Sequence, residues 1–216
     1  MTKSIAIDGP SGAGKSTISQ CLAKEINFDY LDTGAMYRAY TFFYLQKGID
    51  IQDEACVEKY LDQIQLDIID GEYVLNGKNI EEEIRSKEVT DNVSLISSYK
   101  SIREKLVGEQ RHIANKKNII VDGRDIGSYV LPNASIKFYL DAKPEIRAKR
   151  RLDQYQTKQS FEEVLADILR RDKFDSQREI SPLRKADDAI YIDSSNCSLE
   201  ETIKLLIQYL RQRHVI

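Results

Sequence analysis

The chain is poor in the residues that build most metal and nucleophile sites, with two histidines and three cysteines in 216 residues. Cys21, Cys56 and Cys197 lie far apart, follow no metal-ligand spacing and leave an odd number, which fits a reducing cytosol rather than a disulfide framework. His112 and His214 stand alone in charged, helical surroundings and read as solvated surface side chains, so neither is assigned a role. No stretch approaches the roughly twenty apolar residues needed to span a bilayer, and no apolar leader precedes the first strand. A soluble, cytoplasmic protein is expected. Strong charge of either sign is also missing: 32 Lys and Arg against 35 Asp and Glu leave −3. That balance argues against a nucleic-acid polymer or an anionic membrane as the main partner. No internal repeat or low-complexity segment interrupts the chain, and its length suits one large α/β domain carrying an insertion.

Against this background one segment stands out. Gly9-Pro10-Ser11-Gly12-Ala13-Gly14-Lys15-Ser16-Thr17 matches the pattern G-x-x-x-x-G-K-[ST]. Ser4–Asp8 upstream reads as a short buried strand, and Lys15–Glu25 downstream has helical spacing through Ile18, Cys21, Leu22 and Ala23. In that context the glycines let backbone N–H groups converge on phosphate oxygens, and the following helix adds the positive end of its dipole. Lys15 is expected to reach the β- and γ-phosphates of a nucleoside triphosphate, and Ser16 to offer its hydroxyl to Mg²⁺.

Strand-like and helical stretches alternate over most of the chain, the order expected of a parallel sheet joined by helical crossovers. Tyr30–Asp32 is a short extended piece, after which Thr33-Gly34 can cap a helix from Ala35 toward Lys47. A second helix is expected from Asp53 to about Ile64. Asn118–Asp122, Ser135–Leu140 and Ala189–Asp193 have the compact apolar runs of central strands, with helices opening at Pro144, Ser160 and Ser198. The middle breaks the rhythm. Leu66–Ile69, Tyr73–Leu75 and Lys78–Ile80, with Asn76-Gly77 as a hairpin turn, read as a small antiparallel lobe. A lobe of this kind can cover a second substrate.

Twelve of the fourteen arginines follow residue 100, so clamps on further anionic groups are expected there. Asp122-Gly123-Arg124-Asp125 follows the strand Ile119–Val121, at the carboxyl end where ligands of parallel sheets bind. Arg171, Asp175 and Arg178 are spaced to share one helix face, either as a surface ladder or as a face turned to an anion.

Taken together, the phosphate loop, Leu31–Arg38, Asp122–Gly127 and the run from Arg171-Asp172 through Asp175 and Arg178 to Pro182-Leu183 resemble the bacterial cytidylate kinases. The resemblance covers essentially the whole chain, including Leu75-Asn76-Gly77 and Glu83-Ile84-Arg85 of the inserted lobe. One departure lies between Arg151 and Phe161, where the segment is a few residues shorter than is usual. The resemblance implies a P-loop NTPase fold, three-layer α/β/α around a parallel sheet, with the antiparallel lobe serving the monophosphate. It implies one domain over 1–216, the lobe at about 60–97 and a short lid at about 151–162. It also implies transfer of a phosphoryl group from ATP, with Mg²⁺, to CMP or dCMP.

By the same similarity, Ser94, Arg103 and Asp125 would read the cytosine; Arg38, Arg124 and Arg178 would hold its phosphate; Thr33, Arg171 and Asp175 would complete the CMP site. Arg147, Arg150 and Arg151 become candidates to neutralise the group in flight. The chemistry is consistent with these roles. Donors from Ser94 and Arg103 and an acceptor from Asp125 complement cytosine, whereas uracil would turn a carbonyl toward the carboxylate. An ionised phosphate acceptor needs no general base. Asp122 is expected either to position Mg²⁺ through water or to bond the arginine beside it. A monomer is the default expectation. The rival readings are a kinase of the same architecture acting on another acceptor, and a nucleotide-dependent switch, although no Asn-Lys-x-Asp guanine reader is present.

Overall fold

The computed structural model describes residues 2–155 and 159–216. In chain order its elements are β1 (Ser4–Asp8), α1 (Lys15–Ile26), β2 (Asp29–Asp32), α2 (Thr33–Gln46), α3 (Glu54–Lys59), β3 (Leu66–Ile69), β4 (Glu72–Leu75), β5 (Lys78–Asn79), α4 (Lys87–Ile96) and α5 (Lys100–Ala114). They continue with β6 (Ile119–Gly123), β7 (Ile136–Asp141), α6 (Pro144–Tyr155), α7 (Phe161–Gln177), β8 (Ile190–Asp193) and α8 (Leu199–Gln212). Two compact units result, Met1–Leu31 with Ile113–Ile216, and Asp32–His112. The expected lid at about 151–162 falls in the first unit, and its residues 156–158 lie outside the described residues. Among the described residues no helix is long and apolar enough to cross a membrane.

The first unit is built on a five-stranded sheet in the order β2-β6-β1-β7-β8. β1 pairs in parallel with β6 and β7, and β7 with β8. Ile5, Ala6 and Ile7 of the middle strand are fully buried, as a continuous apolar run between two neighbours requires. Ile5, Ile7, Phe138 and Leu140 join Leu22 of α1 and Leu206 and Leu210 of α8 in one core. The register sets Asp8 opposite both Gly123 and Tyr139, so β1 and β6 end level and β7 runs two residues further. Everything that follows β1 and β6 therefore emerges at one edge, the carboxyl edge of the sheet.

The second unit contains the antiparallel sheet β3-β4-β5. Its second hairpin turns at Asn76 and Gly77, with φ of 47° and 81°, the left-handed pair that an Asn-Gly turn is expected to supply. β4 packs on α2, which also packs on α4. The Tyr73 hydroxyl donates to the Asp32 carbonyl at 2.8 Å and fastens β4 to the start of α2.

Three expectations need correction. The side chain that caps α2 is Asp32, accepting from Ala35 N at 2.9 Å, and Thr33 is already helical. The helix after Asp53 ends at Lys59 and gives way to a 3₁₀ turn over Leu61–Gln63 instead of reaching Ile64. Arg178 lies one residue past α7 with extended backbone, so it does not share a helical face with Arg171 and Asp175.

Candidate active site

The phosphate loop turns because its glycines occupy backbone that other residues resist. Gly12 and Gly14 have φ of 76° and 88°, and a Cβ on Gly9 would lie 1.9 Å from the Leu140 carbonyl oxygen of the neighbouring strand. Lys15 opens α1, is 7% exposed, and donates from Nζ to the Pro10 carbonyl at 2.9 Å. Burial, and then the nearby Arg124 charge, push the Lys15 pKa down to about 7. A bound anion would counter both by favouring the charged form. The loop already shows its affinity for negative charge, because the Asp172 carboxylate accepts from Ser11 N at 3.1 Å.

That carboxylate is part of a clamp. Arg147 donates to Asp172 Oδ2 at 2.6 Å, to the Ser11 carbonyl at 2.8 Å and to the Ala142 carbonyl at 2.8 Å, and is only 4% exposed. In this arrangement Arg147 fixes the shape of the loop. Arg150 donates to Ser194 at Oγ and at the carbonyl oxygen, tying α6 to the turn after β8. Arg151 is half-buried on α6.

Asp122 ends the apolar run of β6 and is 2% exposed. It accepts from the Ser16 hydroxyl at 2.9 Å and the Tyr30 hydroxyl at 3.2 Å. The arginine beside it bonds elsewhere: Arg124 Nε donates to Asp175 Oδ2 at 3.0 Å. Asp122 is bonded to Ser16, and its charge also helps to hold that of Arg124. Ser16 and Asp122 offer adjacent hard oxygens, which fits Mg²⁺, an ion that keeps several waters and takes few protein ligands. Among the described residues no cluster of three or more His, Cys, Asp or Glu could hold a metal by itself.

Beyond β6 the first unit gathers two ion pairs, one half-buried and one buried. Arg124 meets Asp175, and Arg178 Nη2 meets Asp125 Oδ1 at 3.1 Å, with side chains 3% and 6% exposed in the second pair. Burial works against the Arg124 charge, but Asp175, Asp172 and Asp122 outweigh it and hold its pKa above the ordinary value. Arg178 also donates from Nε to the Ser181 carbonyl at 2.6 Å, and Leu183 N donates to the Asp175 carbonyl at 2.8 Å. These bonds fold the segment after α7 back on itself and explain why the helix stops. Arg171 is buried on α7.

The second unit holds Thr33 at the first turn of α2, Arg38 further along it, Ser94 on α4 and Arg103 on α5. Ser94 and Arg103 are linked through Ser97, whose hydroxyl donates to the Ser94 carbonyl at 2.9 Å while its own carbonyl accepts from Arg103 Nη1 at 3.2 Å. The Arg103 guanidinium also lies over the Tyr37 ring, 5.7 Å from its centroid. Ser97, Tyr37, Tyr30, Asp172 and Asp8 were given no site role from the sequence. Tyr37 and Asp172 stood within the motifs that carry the resemblance, and Asp8 adjoins the phosphate loop.

A loop of main-chain amides with its lysine, a serine–aspartate pair beside it and guanidinium–carboxylate pairs at the same sheet edge define a P-loop phosphotransferase. The sequence profile of the cytidylate kinases matches residues 5–212, and the chain belongs to the cytidylate kinase family. Cytidylate kinases from Halalkalibacterium halodurans and Bacillus subtilis are 44% and 42% identical to it, each comparison covering 97% of both chains. A third, from Fusobacterium nucleatum, is 45% identical over 94% of both chains. Among solved structures, a gluconokinase from Sinorhizobium meliloti superposes with a TM-score of 0.53 at 11% identity, covering 97% of this chain and 92% of that one. That likeness speaks for the fold alone.

Proposed function

We propose that the protein transfers the γ-phosphoryl group of ATP to CMP or dCMP, giving ADP with CDP or dCDP, as a monomer in the cytoplasm. One observation supports this above the rest. A cradle for phosphate, formed by Gly9 to Thr17, and two guanidinium–carboxylate pairs, Arg124–Asp175 and Arg178–Asp125, share one sheet edge in one unit.

In this reading Gly9, Pro10, Ser11, Gly12, Ala13, Gly14, Lys15, Ser16 and Thr17 bind ATP, with Lys15 on its terminal phosphates. Ser16 and Asp122 would hold Mg²⁺, which when bound offsets negative charge on the nucleotide phosphates. Arg124 and Arg178, with Arg38, hold the acceptor phosphate, and Arg171 and Asp175 serve the sugar side with Thr33. Arg147 keeps the phosphate loop in shape, and Arg151 counters charge on the group being transferred. The acceptor phosphate is its own nucleophile, so orientation and charge balance supply the catalysis. Asp125 accepts from the cytosine amine while Ser94 and Arg103 donate to the base. Uracil would set oxygen against the carboxylate, a costly contact wherever water is excluded.

Coupled ADP release with CMP, dCMP, UMP, AMP and GMP tests the reading. CMP and dCMP should give the highest kcat/KM. Turnover with CMP no greater than with AMP, UMP or GMP would overturn the base assignment.

A further inference from the structure

Asp8 ends β1 immediately before the phosphate loop, is 3% exposed, and has no part in the transfer described above. Its backbone is already fixed by ladder partners on both sides, Gly123 and Tyr139, so the sheet does not need its side chain. Yet both carboxylate oxygens are hydrogen-bonded. Oδ1 accepts from Ile126 N at 2.7 Å and Oδ2 from Gly127 N at 2.8 Å. These are the first two amides of a π-helical turn, Ile126–Val130, that closes on the Asp125 carbonyl through Tyr129 N at 2.9 Å and Val130 N at 3.1 Å. The side chain of Asp125 is meanwhile held by Arg178. Gly127 lets Asp8 approach: a Cβ there would lie 3.3 Å from Asp8 Oδ2 and 3.0 Å from Lys137 Cδ.

We propose that Asp8 is a positioning residue that pins the segment Arg124–Gly127 to the end of β1, fixing the acceptor-side groups relative to the phosphate loop. The inference rests on the reading of Arg124 and Asp125 as CMP contacts. In-line transfer makes such a pin useful, since a misplacement of about 1 Å can cost on the order of a hundredfold in rate. The ion is kept in place against its own preference. Burial pushes the Asp8 pKa up to about 6, with Asp125 adding to the rise, while the Gly127 and Ile126 amides and Lys15 oppose it.

Asp8→Asn preserves shape but presents one oxygen and one amino group, so one of the two backbone N–H groups meets a donor. Steady-state kinetics with ATP, CMP and UMP should show the CMP KM raised about tenfold or more, corresponding to one disrupted buried bond. The CMP-over-UMP preference should shrink, and the ATP KM should stay within about threefold under the same argument. Gly127→Ala crowds Oδ2 and should move the same constants in the same direction by less; it decides the matter if Asp8→Asn does not fold. Folded variants with the parental CMP KM and CMP-over-UMP ratio would overturn the proposal. Equal rises in the ATP and CMP KM would also overturn it, because Asp8 would then be serving the phosphate loop alone. A parent enzyme without CMP preference would instead defeat the assignment of Asp125, and this is seen before any variant is made.

Discussion

Lys15 and Asp125 make different demands on the reaction, and their substitutions should separate accordingly. In the proposed reaction Lys15→Ala removes a positive charge from the transferring group, so turnover with every acceptor should fall by about 10²–10³-fold, measured as kcat in the ADP-release assay. Asp125→Asn swaps an acceptor for a group that can also donate. It should cut the CMP-over-UMP ratio of kcat/KM by about tenfold or more, the equivalent of one mismatched buried contact. Equal losses with both acceptors would remove Asp125 as the base reader. The residue types at these positions could be read because the phosphate loop and Asp122–Asp125 are contiguous motifs. Their partners could not. Arg124 meets Asp175 across 51 residues and Arg178 meets Asp125 across 53, and only the folded chain decides which acid takes which arginine.

Among the elements, strands and helix openings were legible where the sequence carries local punctuation. Asn76-Gly77 placed the hairpin, and Ser160 and Ser198 do cap α7 and α8, each with a glutamate three residues on returning the bond. Endings were less legible, because they depend on distant groups. α7 stops where Arg178 turns toward Ser181 and Asp125, and no periodicity before that point announces it. The clamp that joins α6 and α7 to the phosphate loop was hidden for the same reason, and it can be tested at Asp172. Asp172→Ala leaves the buried Arg147 with only its two carbonyl partners. We expect a loss of about 2 kcal/mol, below the 3–5 typical of a broken buried pair because those carbonyls remain and Asp172 is itself 19% exposed. For a chain of this size that is roughly 4–8 °C in Tm. The ATP KM should rise more than the CMP KM, since the Ser11 amide loses the acceptor that holds it.

At the scale of the whole molecule, the fold holds an ionised carboxylate that it would rather see protonated. Asp8 has a pKa raised to about 6 from an ordinary 3.8, with burial as the main cause. Between those two values the folded chain binds more protons than the unfolded chain, so this group's contribution to stability falls as pH rises. Its cost is absent below the unfolded value and fully present above the folded one. A shift of this size corresponds to about 3 kcal/mol across the interval. The amide introduced by Asp8→Asn has no proton to lose, so the other carboxylates titrate in common and cancel when the two proteins are compared. The difference in Tm, parent minus Asp8→Asn, should therefore become more positive as pH is lowered from 7 to 4.5, by roughly 4–8 °C for a chain of this length, because about 2 kcal/mol of the effect falls within that range. Differential scanning calorimetry of both proteins in matched buffers measures it directly. A difference that stays constant with pH would mean that Asp8 keeps an ordinary pKa in the folded chain. The Ile126 and Gly127 amides, with Lys15, would then fully offset the burial of the ion at the end of β1.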